Sequence, residues 1–444
     1  MHAAASPPPP KASSYWQETA HNRILLVVLG MVVLVPLLAS PSNEAMQGLA
    51  NKALQVMAAL LAGILVLRAR LAASRAEIAT FLATGANLAV ILYLIATVVS
   101  LLLEPADPAL RRLGMAELQR VIVGVLLYFA LAYHVRRSSH LEKIQDALVR
   151  VSALMAIMGL SVLVVEGSDR ALLFGNQQLF GAFLMILLPV PLVAALTERD
   201  ARRQIIAQVS AALTVICLLT SGLRSGWLGA LASLAALAIF SLFRPPRRLP
   251  TSSNKAQYVI PLLTVLFCAV FAVWQGDAGR VIQMRLNLES RTQSLAEREV
   301  YWRTAEYFIL TKPVFGMGLG TYPVYQYPYT LMGRPGIAVL HTRPTLAEMA
   351  HQVWLQTAAE QGLIGVSLFA GIVLTFLVSG LRRLRSMEPG IRRTLLLACM
   401  AGMVGFTIDG LSNPAWQFAQ ISMFFWLILG TGVACLRPRP SRQD

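Results

Sequence analysis

Apolar runs close to the length of a bilayer crossing recur along most of the chain, and one long polar stretch interrupts them. The runs are Ile24–Ala39, Leu54–Leu67, Phe81–Leu103, Leu118–Tyr133, Leu148–Val165 and Leu179–Leu196, then Ile205–Leu219, Trp227–Phe243 and Tyr258–Trp274. After the polar stretch come Leu363–Leu381, Thr394–Ile408 and Trp416–Cys435. A helix needs about 20 mostly apolar residues to cross the hydrocarbon, so the pattern predicts an all-α polytopic membrane protein of about 12 transmembrane helices. Both termini then lie on one side. The chain divides into a disordered tail over 1–20, nine helices within 21–274, a polar loop over 275–360, three helices within 361–436 and a tail over 437–444.

Within the loop, Val281–Leu310 has few Gly or Pro residues and predicts a helix that Lys312–Pro313 ends. Trp302 follows Arg298 by four residues, which places both near one helical face, with Arg291 a further two turns back. Gly316–Gly320 predicts a flexible turn. A second helix is expected from about Thr345, through His351, toward Gly362. The polar stretch is the one place where such a chain has room to build chemistry outside the lipid.

Composition agrees with this division: 56% of residues are apolar and 14% charged, which excludes a soluble enzyme with a large core. The net charge of +16 invites a nucleic-acid reading, and its distribution decides against it. With the termini inside and the spans alternating, 24 of the 38 basic residues and 8 of the 22 acids face the inner side. The inner balance carries the whole excess and the outer balance is zero, as the positive-inside rule requires. Cys217, Cys268, Cys399 and Cys435 all fall in apolar runs, so neither a disulfide framework nor a CxxC metal site is indicated.

Candidate chemistry gathers at the predicted outer end. His351 is a potential general base, with Glu348 one turn earlier to hold its tautomer; the alternative is a polar residue on an interfacial helix. Arg224, in a short outer turn between apolar helices, and Arg298 both suit an anionic ligand, because guanidinium forks match phosphate oxygens in a bidentate way. Snorkelling to lipid headgroups is the other reading of Arg224. Arg170 is a secondary candidate, and Asp409 is expected as a buried partner for an arginine. No outer loop carries an Asp-x-Asp or paired-acid spacing, so no metal ligand set is evident and a diphosphate would rest on arginines and backbone N–H groups. The GxGxG spacing in Gly316–Gly320 follows no predicted strand and is not a nucleotide fingerprint.

Arg298-x-x-x-Trp302, then Pro313–Gly320, then Ala350-His351-x-x-x-Leu355-Gln356 ending in Glu360-x-Gly362-Leu363-Ile364-Gly365, resembles the O-antigen ligase family. That family sits in a superfamily with O-antigen polymerases and pilin-type protein O-glycosyltransferases. Gln352 stands where the family has Asn, and Leu223 where Ser precedes the membrane-edge arginine. The resemblance implies a metal-independent, inverting C-type (GT-C) glycosyltransferase with no cofactor, in the bacterial inner membrane with its site facing the periplasm. Its donor would be O-antigen on undecaprenyl pyrophosphate and its acceptor a sugar hydroxyl of lipid A–core, in lipopolysaccharide maturation. Membrane lipids are the remaining partners, and no nucleic acid is involved. Essential arginines map to Arg224 and Arg298 and the essential histidine to His351. An O-antigen polymerase of the same superfamily and a non-enzymatic lipid-linked sugar transporter are the alternatives, the latter disfavoured because the polar residues collect at one face.

Overall fold

The computed structural model describes residues 25–33, 84–103, 107–135, 137–166, 177–221, 223–243, 288–325 and 349–437. The predicted spans Leu54–Leu67 and Tyr258–Trp274, and the later part of Ile24–Ala39, lie outside the described residues; residues 25–33 are helical. The chain is an all-α polytopic membrane protein. Among the described residues, nine stretches are long and apolar enough to cross a bilayer.

The helices are α1 (Gly85–Leu102), α2 (Pro108–His134), α3 (Ser138–Glu166), α4 (Gln177–Leu187), α5 (Pro189–Thr197), α6 (Ala201–Thr220) and α7 (Arg224–Ser241). They continue as α8 (Leu288–Thr311), α9 (Val353–Leu384), α10 (Ile391–Asp409) and α11 (Ala419–Leu436). Helices α4 and α5 form one crossing, Gln178–Thr197, divided at Pro189. Proline inside a helix removes a hydrogen bond, and here Leu188 keeps its own N–H on the Leu184 carbonyl. Every other crossing answers to a run named from the sequence.

Between membrane helices there is little to gain from apolar contact alone, so close backbone approach and polar side chains set the packing. Helix α7 lies along α10 in this way. A side chain at Gly229 would meet the Gly405 carbonyl at 2.9 Å, and one at Gly405 would meet the Gly229 carbonyl at 2.8 Å. Ser233 donates to the Ala401 carbonyl at 2.9 Å along the same seam. This contact fixes where Arg224, at the start of α7, stands relative to Asp409, at the end of α10. At the opposite end of the bundle, basic side chains close helix C-termini. Arg393 donates to the Leu384 and Phe243 carbonyls, and Arg392 to those of Ala434 and Arg437. Cations at carbonyl ends are favoured by the exposed C=O groups there.

Helix α9 carries the feature that ties the polar segment to the membrane. Gly362 sits at φ 68°, ψ −173° and breaks the helical ladder, freeing carbonyls before it and N–H groups after it. In lipid such groups need partners. The segment after α8 supplies them: Met317 and Gly318 donate to the Ala359 and Glu360 carbonyls at 2.8 and 3.1 Å, and Leu363 donates to the Pro313 carbonyl at 2.8 Å. Ser100 on α1 also donates to the Glu360 carbonyl at 3.0 Å. Gly316, at φ 76°, and Gly362 both need the absence of a Cβ, because a methyl at either would overlap the other strand of this junction. The Gly316–Gly320 run is therefore a docked junction and not the flexible turn its composition suggests.

Candidate functional site

Helix α8 ends at Thr311, directly before Lys312–Pro313, as its sequence predicts, and carries Arg298, Tyr301 and Trp302 at the i, i+3 and i+4 positions of one face. Glu299 and Arg303 pair with one another on its exposed face at 2.6 Å. Ala305 and Phe308 seat the helix against Tyr322, Ala350 and Ala359 in a small buried cluster. This packing brings α8 over the start of α9.

His351 departs from its expected setting. Helix α9 begins at Val353, so the histidine is not on it; Met349–Gln352 form a non-helical turn. His351 itself has φ 51°, the one positive-φ non-glycine residue among those described. That left-handed conformation is unfavourable for a residue with a Cβ and is found at sites where surrounding structure enforces it. The turn is held at its far side by Val353, which donates to the Gly410 carbonyl at 2.8 Å. The imidazole stacks on Tyr301, ring centres 5.4 Å apart and planes at 24°. Its Nδ1 is buried without a hydrogen-bond partner among the described residues. Glu348, expected to orient the ring, lies outside the described residues, as do Arg170 and His341; the side chain of Arg291 does too.

Three of the predicted residues lie within electrostatic reach of one another. Burial pulls the half-buried Arg298 guanidinium below its ordinary value, and the nearby Arg224 charge adds to this. Burial holds the His351 imidazole down at about 4, with the Arg298 charge as the second cause. At neutral pH the ring is uncharged and able to accept a proton. Two cations near one another, one of them half-buried, favour binding of an anion between them. Arg224 is the first residue of α7, whose N-cap residue Leu223 supplies no side-chain cap, so uncapped N–H groups add to the positive end there.

Asp409 is fully buried, but its carboxylate accepts from Asn413 Nδ2 at 3.0 and 3.3 Å, with Ser225 also in reach. Among the described residues it takes no arginine partner, contrary to expectation: the Asn413 amide donates to it instead. Trp302 is half-buried, and its indole N–H has no described partner. No group of three His, Cys, Asp or Glu side chains converges among the described residues.

Two residues escaped the sequence reasoning as site components. Gln356 and Glu360 are 1% and 4% exposed and lie one turn apart on α9. A carboxyl group inside an apolar helix is costly enough to have been a signal on its own. Arg120 on α2 was likewise counted only as outer charge; it pairs with Glu117, donates to the Trp416 carbonyl and lies 5.1 Å over the Trp416 ring.

Residues 209–370 match a family model described as O-antigen ligase. That stretch runs from α6 to the middle of α9 and contains Arg224, Arg298 and His351. No curated protein matches the chain.

Proposed function

From a chain of the O-antigen ligase superfamily, we propose a ligase activity: transfer of O-polysaccharide from undecaprenyl pyrophosphate to a sugar hydroxyl of lipid A–core. The observation that carries the reading is the convergence of Arg224 and Arg298 on one another and of Arg298 on an uncharged His351. The reaction releases a lipid diphosphate whose charge grows as the glycosidic bond breaks. Fixed guanidinium groups and the start of α7 stabilise that charge more in the transition state than in the ground state. His351 takes the proton of the acceptor hydroxyl as its oxygen attacks the anomeric carbon from the face opposite the diphosphate, which inverts the configuration. Arginines serve here in place of a metal, and the site faces the periplasm at the outer end of an inner-membrane bundle. On this reading the protein is a C-type glycosyltransferase, with residues 275–360 as its catalytic loop.

Deleting the gene and running the host's lipopolysaccharide on a gel tests the assignment. The expected result is loss of every O-antigen band, with lipid-linked polymer accumulating. A single capped repeat left on the core would instead mean a polymerase, and an unaltered ladder would remove both.

The charge balance also sets a pH dependence. His351 works in its neutral form, so activity is present above its pKa and lost as pH falls through it. In the free protein that fall lies near pH 4. A bound diphosphate offsets the Arg298 charge and raises the imidazole. The acid limb of kcat is therefore expected at higher pH than that of kcat/KM for the donor, since the two report the complex and the free protein. Coincident limbs would show that donor and histidine do not share Arg298.

A further inference from the structure

The left-handed turn at His351 is maintained by a closed circuit of contacts that the catalytic roles above leave unused. Ala350 N–H donates to Gln356 Oε1 at 3.2 Å, and Gln356 Nε2 donates to Glu360 Oε1 at 3.2 Å. Glu360 also accepts from the N–H of Gly320 at 3.1 Å and of Tyr322 at 3.4 Å. The Tyr322 hydroxyl then donates to the Tyr301 carbonyl at 2.7 Å, and the Tyr301 ring lies against His351. Two routes thus lead from Glu360 to one imidazole: through Gln356 to the backbone preceding it, and through Tyr322 to the ring it stacks on.

Resting on the reading of His351 as the base, we propose that Gln356 and Glu360 are positioning residues that hold its imidazole in the orientation needed to meet the acceptor hydroxyl. Neither faces the donor arginines in this circuit. Both are buried in α9, and their polar atoms are engaged with the turn and the junction. A side-chain amide suits the middle place because it accepts and donates at once: Oε1 takes the Ala350 N–H while Nε2 serves the carboxyl group. Glu360 suits the node because its two oxygens gather three donors from segments that no local sequence pattern connects. With the circuit cut, His351 is free to leave the left-handed region for a more favourable one. A displacement of about 1 Å in a reacting group costs on the order of a hundredfold in rate.

The test uses the purified full-length protein with undecaprenyl-pyrophosphate-linked polysaccharide and lipid A–core. Gln356→Leu, which keeps the volume and removes both hydrogen bonds, is expected to lower kcat by about a hundredfold while donor KM stays within about twofold. Glu360→Gln, which keeps shape and one acceptor oxygen, should lower kcat less and guards against a Gln356→Leu protein that does not fold. In a His351→Ala background both changes should add nothing, since residues acting through one group are not additive. A rise in donor KM with kcat kept, or a further loss of the same factor in the His351→Ala background, would overturn the positioning role. If His351→Ala alone kept wild-type turnover, the reading of the base would fall first, and the two failures are thereby told apart.

Discussion

His351→Ala is expected to bind the lipid diphosphate donor nearly as the unaltered protein does and to transfer almost nothing. Removing a positioned general base costs roughly 10²–10⁴ in rate. Donor affinity should survive because the donor rests on Arg224 and Arg298, not on the imidazole. The protein is also expected to fold, because the turn's hydrogen bonds run through backbone atoms of Ala350 and Val353. The measurement is a filter-binding isotherm for donor beside single-turnover transfer to lipid A–core. Lost donor binding with turnover kept at saturating donor would make His351 a ligand contact. Asp409 would then be a poor substitute as base, because it is buried behind Asn413.

How much of this was readable from the chain depends on the distance over which each feature acts. The nine crossings among the described residues follow from runs of apolar residues, because burial in lipid is decided segment by segment. The end of α8 at Lys312–Pro313 is equally local. The acidic and basic residues flanking Arg298 also sorted as the helical repeat requires, with Glu299 meeting Arg303 four positions on. The setting of His351 was not readable. Helix propensity around Ala350–Gln352 favours continuing α9 backward, and the structure refuses this because Gln356 takes the Ala350 N–H and Gly410 takes that of Val353. Likewise, a GxGxG run reads as a loose turn until the break at Gly362, more than forty residues later, offers it unpaired groups. Glycine spacing records that a side chain is unwelcome, not what excludes it. The pairing of Arg224 with Arg298 across 73 intervening positions emerged only from residue type and the family resemblance, and the α7–α10 seam explains why Arg224 stands there.

The pairing leads to the second large expectation. Arg298→Ala should leave only a small residual transfer by weakening the donor in both its ground and transition states. Loss of one preorganised donor to a developing negative charge costs about 10²–10³ in kcat, and a guanidinium that is half-buried beside a second cation is worth at least a neutral donor. Arg298→Lys should recover little, because an ammonium keeps the charge but not the two parallel N–H groups that match a phosphate edge. Arg224→Ala should follow the same pattern with a smaller effect, since Arg224 is exposed and water can replace part of what it offers. One further consequence separates this account from mere loss of a folded site. Arg298 is the second cause, after burial, of the low His351 value, so removing it lets the imidazole rise from about 4 part of the way to the ordinary histidine value. Residual activity in Arg298→Ala should therefore disappear at a higher pH than in the unaltered protein as the solution is acidified. Activity of the unaltered protein should persist in EDTA. An acid limb that stays near pH 4 in Arg298→Ala would disconnect the arginine from the histidine. Inhibition by EDTA that Mg²⁺ or Mn²⁺ reverses would give the diphosphate to a metal instead of to these two side chains.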